Sequence, residues 1–185
     1  QTRAVFRATR AAPSAINARK AAKAVHDRTG RAGGNGSLMR TGPVALAYLD
    51  QPGALAEAAR VISDLTHFDT DAGDACVLWS LAIRHAILFG EFNIRAGLEL
   101  LPLETRDRWA HLITAAEGRR PQDFTHNGWV VEAFQAAWSA IITTEVPDDN
   151  PVNGSYAASH LQLALESAVR GGNDTDTVAA IAGAL

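Results

Sequence analysis

The sequence predicts an all-α fold. Apolar residues recur at helical spacing, as in Leu55, Ala58, Ile62 and Leu65. No period-two alternation runs long enough for a strand. The chain is 47% hydrophobic yet only 6% aromatic, and it is rich in alanine, which suits closely packed helices.

The elements follow in order. Residues 2–11 form a candidate first helix. Ser14 is placed to cap a second helix reaching Thr29, with Ile16, Ala22 and Val25 on one side and Arg19 and Lys20 toward water. A glycine-dense loop, Gly33 to Gly36, breaks the pattern. Pro43 suits the first turn of a helix over 44–49, and Pro52 does the same for the next. Residues 71–89 and 127–142 are apolar on nearly every side, which marks helices buried among others. Either Asp71 or Asp74 is placed to cap the first of these. Between them lie helical stretches at 93–101, stopped by Pro102, and 105–117, with Trp109, Leu112 and Ile113 inward. The loop 145–155 carries two prolines and is an exposed connection. Residues 156–170 form the last full helix, closed by Gly171 as its C′ residue.

With 185 residues, the chain is long enough for one domain with a substantial core. A net charge of -3 offers no electrostatic case for nucleic acid. No run of ~18 uninterrupted apolar residues argues for a membrane span. The single Cys76 excludes an intrachain disulfide and fits a reducing compartment, so a cytoplasmic location is expected. Cys76 and His85 read as core residues. The chain opens on Gln1 in a helix-like pattern and stops at Leu185 within an apolar helix. Helix-terminal carbonyls need partners. We therefore expect residues 1–185 to be a single domain truncated at both ends.

Two stretches carry chemistry. The first is Gly171-Gly172-Asn173-Asp174-Thr175-Asp176-Thr177, where a glycine loop turns into a helix. Asp174 and Asp176 with Thr177 offer the oxygen donors that hard divalent cations prefer. The same residues are good N-terminal caps, so cap and ligand stand side by side as readings. The second is Gly33-Gly34-Asn35-Gly36-Ser37-Leu38-Met39-Arg40. Such a loop presents consecutive backbone N–H groups to an anion, or it is simply a turn. Arg40 suits either a phosphate or the loop's own carbonyls.

Together the two stretches resemble the ADP-ribosylglycohydrolase family, which includes the dinitrogenase-reductase-activating glycohydrolases. Its G-N-G-[SG]-x-M-R loop is matched by residues 34–40, and its late G-G-[DN]-x-T-D-T element by residues 171–177. The likeness extends over essentially the whole chain. Gln1-Thr2-Arg3 looks like the segment before the glycine loop. Thr66-His67 is similar to a position where a histidine lines the ligand pocket. Asn127-Gly128-Trp129 is similar to a segment whose Asn-Gly approaches the ribose.

The resemblance implies a compact orthogonal helix bundle. It implies substrate contacts from Asn35, Gly36, Ser37, Met39, His67, Asn127 and Gly128. It also implies two divalent cations, Mg²⁺ or Mn²⁺, held partly by Asp174, Asp176 and Thr177. The family's opposing Thr-Asp-Asp element and its acidic catalytic residue have no counterpart here, and are expected upstream of Gln1. The implied activity is metal-dependent hydrolysis of the glycosidic bond between ADP-ribose and an acceptor. The implied partner is an ADP-ribosylated protein or a small ADP-ribose conjugate. The alternative is a catalytically inactive ADP-ribose-binding or structural protein of the same fold. Asp148-Asp149 has the wrong context for a ligand pair. His126 lies beside Asn127, where it would line the mouth of the pocket.

Overall fold

Side-chain caps open two of the helices among the described residues. A computed structural model describes residues 1–30 and 32–185. Helix α1 spans Thr2–Thr9. Ser14 caps α2, Ala15–Thr29, by accepting from the Asn17 N–H at 3.2 Å, and Gly30 closes it in the left-handed region. Two short helices follow the glycine loop, α3 (Leu38–Thr41) and α4 (Val44–Ala47). Helix α5 runs Pro52–Asp64, with its proline in the first turn, and α6 runs Thr70–Phe89. Helix α7 is Leu103–Glu117, α8 is Val130–Ile142, α9 is His160–Arg170 and α10 is Thr175–Ala184. No strand occurs among the described residues, only two isolated bridges. The fold is all-α.

Helices α6 and α8 form the centre, as their all-round hydrophobicity requires. Residues 72–83 of α6 are buried without a break. From Val130 to Ile141, only Glu132 of α8 escapes burial. Phe134 of α8 meets Trp79 of α6 and Trp109 of α7 edge-on, at centroid separations of 5.2 and 5.1 Å. Edge-to-face pairs place a ring's positive rim on its neighbour's negative face. Trp79 Nε1 donates to the Ile181 carbonyl at 3.0 Å, which ties α10 to this centre. By length and composition α6 is apolar enough to cross a membrane, but 67% of that stretch is buried inside the fold. A smaller apolar cluster of Val5, Ala22 and Val25 joins α1 to α2.

Several expectations need correction. The cap of α6 is Asp69, whose Oδ1 accepts from the Ala72 N–H at 3.2 Å. Asp71 instead pairs with Arg108. Asp74 is fully buried, accepting from Arg60 at 2.6 Å and from Trp109 Nε1 at 3.2 Å. Residues 93–101 form only a short 3-10 turn at Leu98–Leu100. Asn93 Oδ1 accepts from the Arg95 N–H, a local turn that competes with helix. Ile16 is exposed, and Arg19 reaches Asp64 at 2.8 Å. Helix α9 begins at His160, after a 3-10 turn at Ala157–Ser159. Gly171 keeps right-handed helical angles. Gly172 and Asn173 are the residues with positive φ, at 80° and 62°. Glycine takes that region without steric cost, and Asn tolerates it.

Candidate functional site

Three loops far apart in sequence meet at the start of α10. The first precedes α3, the second precedes α8, and the third links α9 to α10. Gly33 O accepts from the Val130 N–H at 2.9 Å, and Gly128 O accepts from the Asn35 N–H at 3.2 Å. These bonds pair Gly34 with Trp129 as a single antiparallel bridge. Asn35 is buried, and its Nδ2 donates to both the Asn127 carbonyl and Asp174 Oδ2, each at 2.7 Å. Asn127 is buried too. Its Nδ2 donates to the Gly172 carbonyl at 2.9 Å, and its Oδ1 accepts from the Asp174 N–H at 3.0 Å. Two amide side chains thus hold the glycine loop and the Asp174 loop in register.

Asp174 occupies the N-cap position of α10, yet its carboxylate makes no capping hydrogen bond. Its one hydrogen-bond partner among the described residues is the neutral amide of Asn35. Asp176 is exposed, and neither carboxylate has a cationic partner among the described residues. The Thr177 hydroxyl is likewise without a hydrogen-bond partner among them, although the residue is buried. Three hard oxygen donors on one segment, two of them anionic and without a cationic partner among the described residues, are of the kind a divalent cation takes. They would furnish only one side of its shell, since no group of three His, Cys, Asp or Glu residues converges among the described residues.

The glycine loop lies against His67. A Cβ at Gly36 would sit 3.2 Å from the imidazole Nε2 and Cε1. The N–H groups of Gly36 and Ser37 have no partner among the described residues, as an anion cradle requires. The Ser37 hydroxyl turns inward, accepting from Ser63 at 2.9 Å. Cys76, wholly buried, sits 3.7 Å from the same oxygen, and burial pushes its thiol pKa up. His67 itself is buried, with Nδ1 2.7 Å from Thr66 Oγ1. Burial, then the Arg40 charge, pull its pKa down to about 4, so the ring is neutral at physiological pH. Arg40 donates to Thr66 Oγ1 at 2.6 Å and to the Ile62 carbonyl at 3.3 Å, so the guanidinium anchors the loop to the end of α5.

The junction opens on a cleft of about 420 Å³, lined by Gln1, Gly33, Gly34, Asp69, Gly128 and Trp129. Met39 is half exposed and lines a neighbouring groove of about 680 Å³ with Phe6, Gly36 and Arg40. A larger groove, about 960 Å³, runs along α9 past Leu161 and Val169 and contains none of these residues.

A protein-family comparison bears on this junction. The model of the ADP-ribosylglycohydrolase family matches residues 1–185. The chain belongs to the ADP-ribosylglycohydrolase family. No curated protein and no solved structure matches it. Within this family member, the glycine loop, Asn127 and the Asp174 loop meet through direct hydrogen bonds, and His67 lies against Gly36. His126 is exposed and pairs with Glu132, and His85 pairs with Glu91 at 3.0 Å. The bracing by the Asn127 side chain was not visible in the sequence. A carboxamide beside a glycine is the one signal, since it can donate and accept at once.

Proposed function

We propose that this protein is a metal-dependent hydrolase that releases ADP-ribose from a modified acceptor. One observation carries the reading. Asn35 of the glycine loop donates directly to Asp174, 139 residues away, which brings a carboxylate without a cationic partner among the described residues next to the loop whose Gly36 and Ser37 N–H groups have no partner among them. An anion cradle and a cation site side by side suit a substrate with both phosphates and ribose hydroxyls.

Each residue then has a task. The N–H groups of Gly36 and Ser37 bind pyrophosphate oxygens. Asn127 keeps the Asp174 loop in place, and Gly128 lines the cleft for the ribose. His67, neutral and walled in, meets the ligand without competing for its negative charge. Asp174, Asp176 and Thr177 would hold Mg²⁺ or Mn²⁺, which supplies polarisation of ribose hydroxyls and a more acidic bound water for attack at the anomeric carbon.

The test is calorimetry with Mg²⁺, Mn²⁺ and ADP-ribose, alongside ADP-ribose release from a modified peptide by the full-length protein. Asp174→Ala and Asp176→Ala should abolish release with little loss of folding. Mutants that match the wild type in saturating Mg²⁺ and Mn²⁺ would refute the metal role. Wild-type protein that binds ADP-ribose but never releases it from a conjugate would be a reader, not a hydrolase.

A further inference from the structure

Thr66 Oγ1 lies between Arg40 and His67. Arg40 Nη2 approaches it to 2.6 Å, and His67 Nδ1 to 2.7 Å. A guanidinium has only donors, so the hydroxyl must accept from Arg40. The hydroxyl's own proton then needs an acceptor, and His67 Nδ1 is the one within hydrogen-bond distance among the described residues. A neutral imidazole that accepts at Nδ1 carries its proton at Nε2. Nε2 has no hydrogen-bond partner among the described residues, although His67 is only 4% exposed. It points at the glycine loop: Cβ atoms built at Gly36 and Gly34 would lie 3.2 and 3.6 Å from it.

We propose that Thr66 and Arg40 are positioning residues that fix His67 as its Nε2–H tautomer, so that the ring donates a hydrogen bond to a ligand oxygen beside Gly34 and Gly36. The ligand oxygen is a hydroxyl or a phosphoryl oxygen, either of which accepts. Naming the ligand as ADP-ribose rests on the function proposed above. The tautomer does not. The relay also explains why Gly36 has no side chain, since any Cβ would crowd the donor nitrogen.

The test is the ring ¹⁵N spectrum of His67 in the full-length protein at pH 7, without ligand. His67→Gln identifies the signals. Wild type and Thr66→Ser should show the Nε2–H pattern, and Thr66→Val should show the other tautomer or a mixture. ADP-ribose affinity by calorimetry should fall about tenfold in Thr66→Val, the loss of one oriented hydrogen bond, and recover in Thr66→Ser. A wild-type ring protonated at Nδ1 would overturn the proposal, and so would a Thr66→Val spectrum identical to wild type. The wild-type spectrum decides the tautomer even if Thr66→Val fails to fold. Expected spectra combined with no ADP-ribose binding by the wild type would uphold the relay and sink the ADP-ribose reading instead.

Discussion

Lowering the pH from 7 to 5 should destabilise the native protein through His67. The ring is held neutral in the fold, with a pKa pulled from 6.5 to about 4 by burial and by Arg40. In the unfolded chain it titrates near 6.5. Because the folded value is depressed, its contribution to stability is fully present above pH 6.5. That contribution is lost as pH falls from 6.5 toward 4. At pH 5 the unfolded ring is almost all protonated and the folded ring mostly neutral. One pKa unit is ~1.36 kcal/mol, so the cost at pH 5 is about 2 kcal/mol, rising to about 3 kcal/mol below pH 4. Other groups titrate over the same range, so the comparison must be a difference of differences. Urea unfolding of wild type and His67→Gln at pH 7 and pH 5 provides it. Glutamine cannot titrate, yet its amide keeps a donor near the position of Nε2. The wild type should lose about 2 kcal/mol more than His67→Gln between the two pH values. A difference below ~0.5 kcal/mol would mean that His67 protonates as freely in the fold as in water, and the burial argument would fail. The same depression predicts that ligand binding is insensitive to His67 between pH 8 and pH 5.5.

Two further outcomes follow from the packing. Asn127→Ala strips partners from the Gly172 carbonyl and the Asp174 N–H, so urea unfolding should show a loss of about 2 kcal/mol, and calorimetry should show weaker divalent-ion binding. Unchanged stability would mean that water replaces the amide. Asp74→Ala leaves Trp109 Nε1 and Arg60 without their buried acceptor. Arg60 is partly exposed and can hydrate its charge, so the loss in thermal or urea unfolding should be about 2–3 kcal/mol, below that of a wholly buried pair.

The sequence determined the helical character and the identity of the central pair. Continuous apolar faces at 71–89 and 127–142 leave a helix no option except burial, and α6 and α8 are the buried centre. Local chemistry was legible wherever one residue decides it: Ser14 caps α2, and proline opens α5. It was not legible where neighbours compete. Asp69, Asp71 and Asp74 are all good caps in isolation. Arg108, Arg60 and Trp109 claim the latter two, and these partners come from α5 and α7. Likewise Asn93 bends residues 93–101 away from a helix that periodicity favours.

The candidate site divides in the same way. Residues 34–40 and 171–177 stand out by glycine density and side-chain oxygens, but composition alone left a turn and a helix cap open, and the family resemblance named them as site candidates. That Asn35 spans to Asp174, that Asn127 clamps the Asp174 loop, and that Ser37 turns its hydroxyl inward were decided only by the tertiary structure. So was the anchoring of Arg40, which from sequence alone could serve a phosphate or the loop, and which the fold binds to the end of α5. Short polar side chains have several possible partners within reach of their own loop. Which partner they take depends on what a distant segment brings within 3 Å, and sequence spacing carries no record of that distance.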